Sequence, residues 1–330
     1  MNLDVFWQHI FSEDRGQILE AWKSISPEEK QPVRDLLAAI LDDPERVIEQ
    51  RNAARFALQV VDGALGGYDL PDGALAFARD LARDTAQLLV ANFGRLIATK
   101  KKDDTLVTES DLESDKRIVS AIRQKYPQHG ILSEESAKVF NGEEWCWVID
   151  PIDGTTNFTW GFPVWGVLIG LLHNGEPVMG VADFPMTSEH YYAVKNGGSF
   201  CNDAPIYSSD AERMDASQVF ACCTRTLKKG RPDVPMRIRV AGSTGFDLAM
   251  LACGASIGTM GMTVHVWDVA ALWPIMLEAG AALATSAHAF PLAPGADLSA
   301  ISFSVLGGSS PDMLAELKGR LSDRFTPASE

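Results

Sequence analysis

Residues Trp145 to Phe158 read WCWVIDPIDGTTNF, and the stretch changes character in its middle. Trp145–Ile149 is an unbroken apolar run, the pattern of a strand covered on both faces. Asp150 and Pro151 end that run. Proline has no N–H to give to a ladder, so Asp150 and Asp153 are expected together in a turn at the strand's end. Two hard carboxylates three residues apart, with the Ile152 carbonyl between them, are oxygen ligands of the kind Mg²⁺ prefers. Gly154, Thr155 and Thr156 then offer backbone N–H groups and hydroxyls, a nest of the sort that cradles phosphate. The same letters have a plainer reading, since Asp-Pro and Asp-Gly are ordinary turn pairs whose carboxylates cap their own backbone.

On either side the strand pattern continues. Gly130–Ser133 lies upstream, and Val164–Leu172, Val178–Asp183 and Tyr191–Val194 lie downstream, with Asn174 and Gly175 placed as a two-residue hairpin turn. Further upstream the period lengthens to three and four. Leu75, Phe77, Ala78, Leu81, Leu88, Leu89 and Phe93 mark one amphipathic helix from Ala74, and Ile118, Val119 and Ile122 mark a second from about Ser110 to Lys125. Beyond residue 213, short strands (Val219–Cys222, Ile238–Ala241, Ser302–Val305) mix with helices around Phe246–Cys253, Val269–Ala279 and Pro311–Leu321. The fold class is therefore α/β, with an α+β half over 71–213 and an α/β half over 214–330.

Before these comes a helical extension over 1–70. Phe6, Ile10, Ile18, Leu19 and Trp22 recur at helical spacing, a second helix starts at Pro27, and a third runs from Pro44 to Val60. The segment GALGGYDLPDG, from Gly63, supplies the linker that bounds it.

Composition removes several function classes. A formal charge of −15 and a pI near 4.8 repel polyanions over most approaches, which argues against nucleic acid or an acidic bilayer as partner. No run of eighteen uncharged apolar residues appears, and acids stand in the N-terminus where a signal peptide would carry its apolar core, so a soluble cytoplasmic chain is expected. Five cysteines, odd in number and without CxxC spacing, point to reduced thiols rather than a disulfide or zinc framework.

DPIDGTTNF resembles the first signature of the inositol monophosphatase family, lithium-sensitive sugar and inositol phosphatases, and three further pieces stand in the family's order, two upstream and one downstream. LVTESD, ending in Asp111, resembles its first acidic motif. LSEES, with Glu134 and Glu135, resembles GEES, with Ser133 where glycine is usual. VHVWDVAAL resembles WDxAAG and leaves Asp268 at a helix N-terminus. The similarity covers roughly residues 74 to 285. It implies an αβαβα sandwich of the sugar-phosphatase type, a homodimer, and two or three Mg²⁺ held by Glu134, Asp150, the Ile152 carbonyl, Asp153 and Asp268. It further implies a Thr155–Asp111 pair that orients the attacking water, and phosphate contacts from Asp153, Gly154, Thr155, Asp268 and the Gly242-Ser243 turn. Each residue keeps an ordinary alternative. Asp111 suits a helix-capping acid three after Thr108, one of Glu134 and Glu135 suits a solvated charge, and Asp268 suits the helix macrodipole. Gly242–Gly245 equally suits a plain strand-to-helix turn. His265 is read as a core or supporting imidazole, because hard Mg²⁺ disfavours nitrogen.

The resemblance also breaks in places. Where inositol-phosphate enzymes carry an acid for sugar hydroxyls, seven positions before the WD aspartate, this chain has Gly261. Leu272 replaces the glycine after WDxAA, and Pro274 follows within the expected helix. Inositol monophosphate is the first expected substrate of a small phosphorylated metabolite class. Another sugar phosphate, histidinol phosphate and a nucleoside 3′,5′-bisphosphate are the alternatives. A weakly active phosphatase-fold scaffold working through its extension is the reading from a different class, and four retained carboxylates oppose it.

Overall fold

A computed structural model describes residues 2–61, 68–95, 99, 100 and 106–325. The expected linker glycines Gly63, Gly66 and Gly67 lie outside the described residues. Two compact units emerge, Met1–Tyr68 with Asn196–Gly198, and Asp69–Lys195 with Ser199–Glu330. Apart from Asn196–Gly198, the described residues of 71–213 and 214–330 lie in the second unit.

Among the described residues the first unit holds four helices, α1 (Leu3–Ile10), α2 (Arg15–Ser24), α3 (Pro27–Asp42) and α4 (Ile48–Val61). The helical spacing from Phe6 to Trp22 belongs to two helices rather than one. Glu13 takes a left-handed φ of 55° and Asp14 caps α2 by accepting the Gln17 N–H at 2.8 Å, which ends the run between them. Ser26 and Glu29 form a capping box on α3. Phe6, Ile10, Ile18, Leu37, Phe56 and Val60 are buried, at roughly 1.5–3 kcal/mol of transfer free energy each.

The second unit begins with α5 (Ala74–Val90), the short pair β1 (Thr99–Lys100) and β2 (Leu106–Val107), and α6 (Glu109–Lys125). There follow β3 (Gly130–Ser133), β4 (Val139–Phe140), β5 (Trp145–Asp153), α7 (Thr155–Trp160), β6 (Gly166–His173), β7 (Glu176–Phe184), β8 (Glu189–Val194), β9 (Ser199–Cys201) and β10 (Ala204–Pro205). The remainder is β11 (Val219–Cys222), α8 (Thr224–Lys228), β12 (Arg237–Arg239), α9 (Thr244–Ala252), β13 (Gly258–Val264), α10 (Val266–Ala270), α11 (Leu272–Glu278), β14 (Ala282–Thr285), β15 (Ala296–Asp297), β16 (Phe303–Gly308) and α12 (Pro311–Arg320).

Seven strands form one sheet in the order β10-β9-β8-β7-β6-β5-β3, and five form another in the order β12-β11-β13-β16-β14. Only β3 and β5 run parallel in the first sheet. Alternation along β5 explains the layering. Trp147 and Ile149 join α5 and α6 in one core, whereas Cys146 and Val148 join α9, α10 and α11 in another. That second core also takes Val264, Phe303 and Val305 from the smaller sheet, whose far side packs Phe220, Met260 and Leu306 against Met313, Leu314 and Leu317 of α12. The result is helix, sheet, helix, sheet, helix. Asn174 and Gly175 both take positive φ in the β6–β7 hairpin, as its two-residue turn requires.

Several elements differ from the sequence reading, three of them near the cleft or in the sheet beside it. β5 does not stop at Asp150. Its register with β6 shifts between Asp150 and Asp153, and pairing resumes at Asp153 opposite Gly166, so Pro151 makes a bulge rather than a terminus. The helix expected over Val269–Ala279 is two short helices parted at Ala271, with Pro274 in the first turn of α11, where its missing N–H costs nothing. β13 was not expected, because Gly258 and Gly261 interrupt its apolar alternation.

Candidate active site

Glu134, Asp150, Ile152, Asp153, Gly154, Thr155, Thr156, Arg225, Gly242 and Asp268 line one open cleft of about 320 Å³ in the second unit. Five chain segments meet there: the end of β3, the β5 bulge running into α7, the turn into α8, the turn into α9, and the start of α10. The bulge does the local work. It places Asp150 and Asp153 beside each other, and Gly154 then takes a φ of 92°, with a Cβ there only 3.0 Å from the Val164 carbonyl oxygen. Only glycine fits that turn.

Each carboxylate is held by the protein. The Ile152 N–H donates to Asp150 Oδ1 at 3.1 Å, the ordinary self-capping of an Asp turn. Asp153 accepts the Ser243 hydroxyl and the N–H groups of Gly245 at 2.9 Å and Thr244 at 3.2 Å. The Gly242–Gly245 turn therefore spends its donors on Asp153, and Gly242 is the part of it that lines the cleft. Asp268 Oδ2 accepts the His265 N–H at 2.8 Å across the first turn of α10, while His265 Nδ1 bonds the Ile301 carbonyl at 3.0 Å and its ring stacks on Trp267. Asp111 combines two roles. Its Oδ2 accepts the Thr108 N–H at 2.7 Å and hydroxyl at 2.5 Å as a capping box, and its Oδ1 lies 3.1 Å from Thr155 Oγ1. Thr155 Oγ1 also lies 3.1 Å from the Ile152 carbonyl. Glu134 lines the cleft, and Glu135 is not among its lining residues.

Gathering these acids shifts their proton affinities. Burial, then repulsion from Glu134, Asp153, Asp268 and Asp111, pushes the Asp150 carboxyl well above the usual range. Burial raises Asp153 to about 6 against the opposing hydrogen bonds from Ser243, Gly245 and Thr244. Asp268 is raised by burial and by Asp153, with the His265 N–H and the positive charge of Arg225 pulling the other way. Burial also raises Asp111. Behind them, Asp247 of α9 reaches about 8 through burial and the nearby Asp153, and its Oδ1 has no hydrogen-bond partner. A set of hard oxygens whose mutual repulsion the fold leaves standing fits a divalent cation in chemistry. Among the described residues no three His, Cys, Asp or Glu side chains close on one point.

Sequence reasoning did not single out three residues here. Arg225 is a lone base with no motif around it, delivered to the cleft by the β11–α8 turn. Asn157 stands inside the quoted DGTTNF, and its amide donates to the carbonyls of Val164 at 2.7 Å and Ala241 at 2.8 Å, tying α7 to the turn that carries Gly242. Asp247 looks like any helix acid until its burial is seen.

Similarity to known proteins converges on the same part of the chain. The sequence model of the inositol monophosphatase family matches residues 71–311. A histidinol-phosphatase of Chlorobaculum parvum is 34% identical over 215 residues, covering 62% of this chain and 83% of that protein. An inositol monophosphatase of Dictyostelium discoideum is 32% identical over 227 residues, covering 63% and 83%. A fructose-1,6-bisphosphatase/inositol-1-monophosphatase of Thermotoga maritima is 32% identical over 212 residues, covering 62% and 82%. Among solved structures, an inositol monophosphatase from Anabaena superposes with a TM-score of 0.61 at 28% identity, over 77% of this chain and 96% of that one.

Proposed function

As a member of the inositol monophosphatase family this chain is a phosphomonoester hydrolase, and we propose that its cleft hydrolyses a small phosphorylated metabolite with Mg²⁺ as cofactor. The observation that carries the reading is the gathering of Glu134, Asp150, Asp153 and Asp268 on one cleft at the β5 bulge. Glu134, Asp150, the Ile152 carbonyl, Asp153 and Asp268 would hold two or three ions, which when bound supply charge neutralisation for phosphoryl oxygens and acidify water.

The chain's own groups then have distinct tasks. Thr155 Oγ1 gives its one proton to Asp111 or to the Ile152 carbonyl, so its lone pairs remain to accept from a water in the cleft and fix where that water stands. Asp111, whose affinity for a proton is raised, is the group positioned to take one through Thr155 as the water attacks. Ser243, Thr244 and Gly245 lock Asp153, so its carboxylate reaches the substrate pre-oriented. Gly154 and Thr156 line the phosphate end of the cleft.

No described helix is long and apolar enough to cross a membrane. A cytoplasmic homodimer inhibited by lithium belongs to the same reading, with light scattering as the check on its assembly. The decisive experiment is phosphate release from inositol, sugar, histidinol and nucleotide phosphates with and without Mg²⁺, with Asp153→Asn as control. Magnesium-dependent release lost in the variant is the expected result. A folded, magnesium-loaded protein that releases phosphate from none of them would overturn the proposal.

A further inference from the structure

Gly261 stands where an acid would receive sugar hydroxyls, and the side-chain atoms nearest that position are carbons of Val264, Val305 and Thr244. Gly261 lies in β13 at the point where the pairing with β16 shifts register. A Cβ added there would sit 2.8 Å from Val264 Cγ2 and 3.1 Å from Val305 Cγ1, so the volume beside it is already filled by hydrocarbon. The backbone on both sides of Gly261 is tied to the start of α8. The Met260 carbonyl accepts the Cys223 N–H and the Thr226 hydroxyl, each at 3.2 Å, and the Met262 N–H donates to Cys223 Sγ at 3.3 Å.

Arg225 stands between those two anchors, Cys223 and Thr226. It lines the cleft with the carboxylates, is exposed, and makes no hydrogen bond or ion pair with any described residue. Its guanidinium is permanently charged and carries five donors in a planar fork matched to carboxylate and phosphate oxygens. It also opens a segment, Thr224 to Arg239, with six basic residues against one acid in a chain of net charge −15. A local positive field of that kind raises the encounter rate of an anion with the cleft it borders.

We infer that Arg225 receives a second anionic group on the substrate, so that the preferred class is a small phosphomonoester bearing a carboxylate or a second phosphate rather than hydroxyls alone. The inference rests on the phosphatase reading and narrows its substrate. It also disfavours a substrate whose far end is an ammonium, which would meet a like charge. Hydrolysis itself is unchanged: water adds to phosphorus, the ester oxygen leaves with a proton, and the second anion stays on the alcohol product.

The test compares kcat/KM on two matched pairs, glycerol 2-phosphate against 2-phosphoglycerate and fructose 1-phosphate against fructose 1,6-bisphosphate, for the full chain and for Arg225→Gln, Arg225→Lys and Arg225→Glu. The full chain is expected to favour at least one doubly anionic member by tenfold or more. Arg225→Gln should erase that preference through a rise in KM of about 10- to 100-fold on the doubly anionic member, the worth of a charge-assisted hydrogen bond, with a clearly smaller loss on the singly phosphorylated partner. Arg225→Lys should restore part of it and Arg225→Glu should reverse it. Whichever pair responds identifies the second anion as carboxylate or phosphate. Equal losses on both members of each pair would overturn the inference, because Arg225 would then serve the common phosphate or the carboxylate ring. A full chain that prefers the singly phosphorylated members would overturn it too, leaving the phosphatase reading intact. Release from none of the four, nor from the wider panel, would remove both.

Discussion

Asp183 and Asp150 are both buried on the seven-stranded sheet, two strands apart, and the chain treats them in opposite ways. Asp183 of β7 lies 2.8 Å from His190 Nδ1. The other ring nitrogen accepts from Arg79 Nε at 3.4 Å, and Arg79 in turn pairs with Asp203 and covers the Tyr192 ring with its charged carbon 3.9 Å from the centroid. Every charge in that chain of contacts has an opposite or a donor beside it. Asp150 of β5, 2% exposed, has Glu134, Asp153, Asp268 and Asp111 as its charged neighbours. Burying an acid is costly either way. The difference teaches that one acid brings its counter-charge within the fold, while the other leaves a place for a charge from outside.

The largest effect should come from trying the same substitution in both places. Asp153→Asn, like Asp150→Asn, should lower magnesium-dependent phosphate release by at least about a thousandfold, since it removes a charge around which the site is built. Asp183→Asn should leave kcat within about threefold. Stability should move in the reverse order. Without metal, Asp150→Asn relieves repulsion while the amide oxygen keeps the Ile152 bond, and should gain about 1–2 kcal/mol. Asp183→Asn weakens a satisfied buried contact and should lose about 1–3 kcal/mol. Urea midpoints of the two variants in EDTA check this, and the same sign of change in both would erase the distinction.

The pH dependence sharpens it further. A carboxylate whose folded value is raised stabilises the fold fully below its unfolded value near 4, and that contribution is lost as pH climbs through the folded value. Asp153 at about 6 and Asp247 at about 8 set the window, with Asp150, Asp111 and Asp268 shifted in the same direction. The metal-free protein should therefore lose a few kcal/mol of stability between about pH 4 and pH 8, and millimolar Mg²⁺ should restore most of it at pH 8. Calorimetry across that range, with and without metal, measures both. A Tm that rises steadily toward pH 8 in EDTA would show that the ring is not strained by its own charge.

Much of this was legible beforehand because local chemistry states it. The apolar run Trp145–Ile149 and the Asn174-Gly175 turn act within a few residues, and the sequence reveals such short-range constraints directly, whereas the strand resumes past Pro151 through its pairing with β6. What escaped depends on distance along the chain. Ser243 and Gly245 meet Asp153 across some ninety residues, so a turn that reads as a free anion nest is in fact occupied by a carboxylate. Arg225 acquires its role only when β11 pairs with β13 and sets α8 beside the cleft. Gly258 and Gly261 hid a central strand because its burial comes from neighbours on both sides, not from its own alternation.

The smallest expected effect concerns two adjacent acids that the sequence cannot rank. Glu134 and Glu135 follow β3 in a turn where the Glu134 N–H bonds the Ile149 carbonyl at 3.2 Å and the Glu135 N–H bonds Ser133 Oγ at 3.3 Å, so the β5 backbone fixes one position and the Ser133 side chain the other. Their directions differ: Glu134 lines the cleft, whereas Glu135 is not among the cleft-lining residues and acts on Asp111 as a minor negative charge. Glu134→Gln should lower kcat/KM by about a hundredfold or more, in line with loss of a ligand carboxylate. Glu135→Gln should change it by less than about threefold. Because removing that charge lets Asp111 release its proton slightly more readily, the small change should appear as a shift of the acid limb of the pH–rate profile to lower pH. A large loss in Glu135→Gln with an unshifted limb would mean that Glu135, too, faces the cation site when the cleft is loaded.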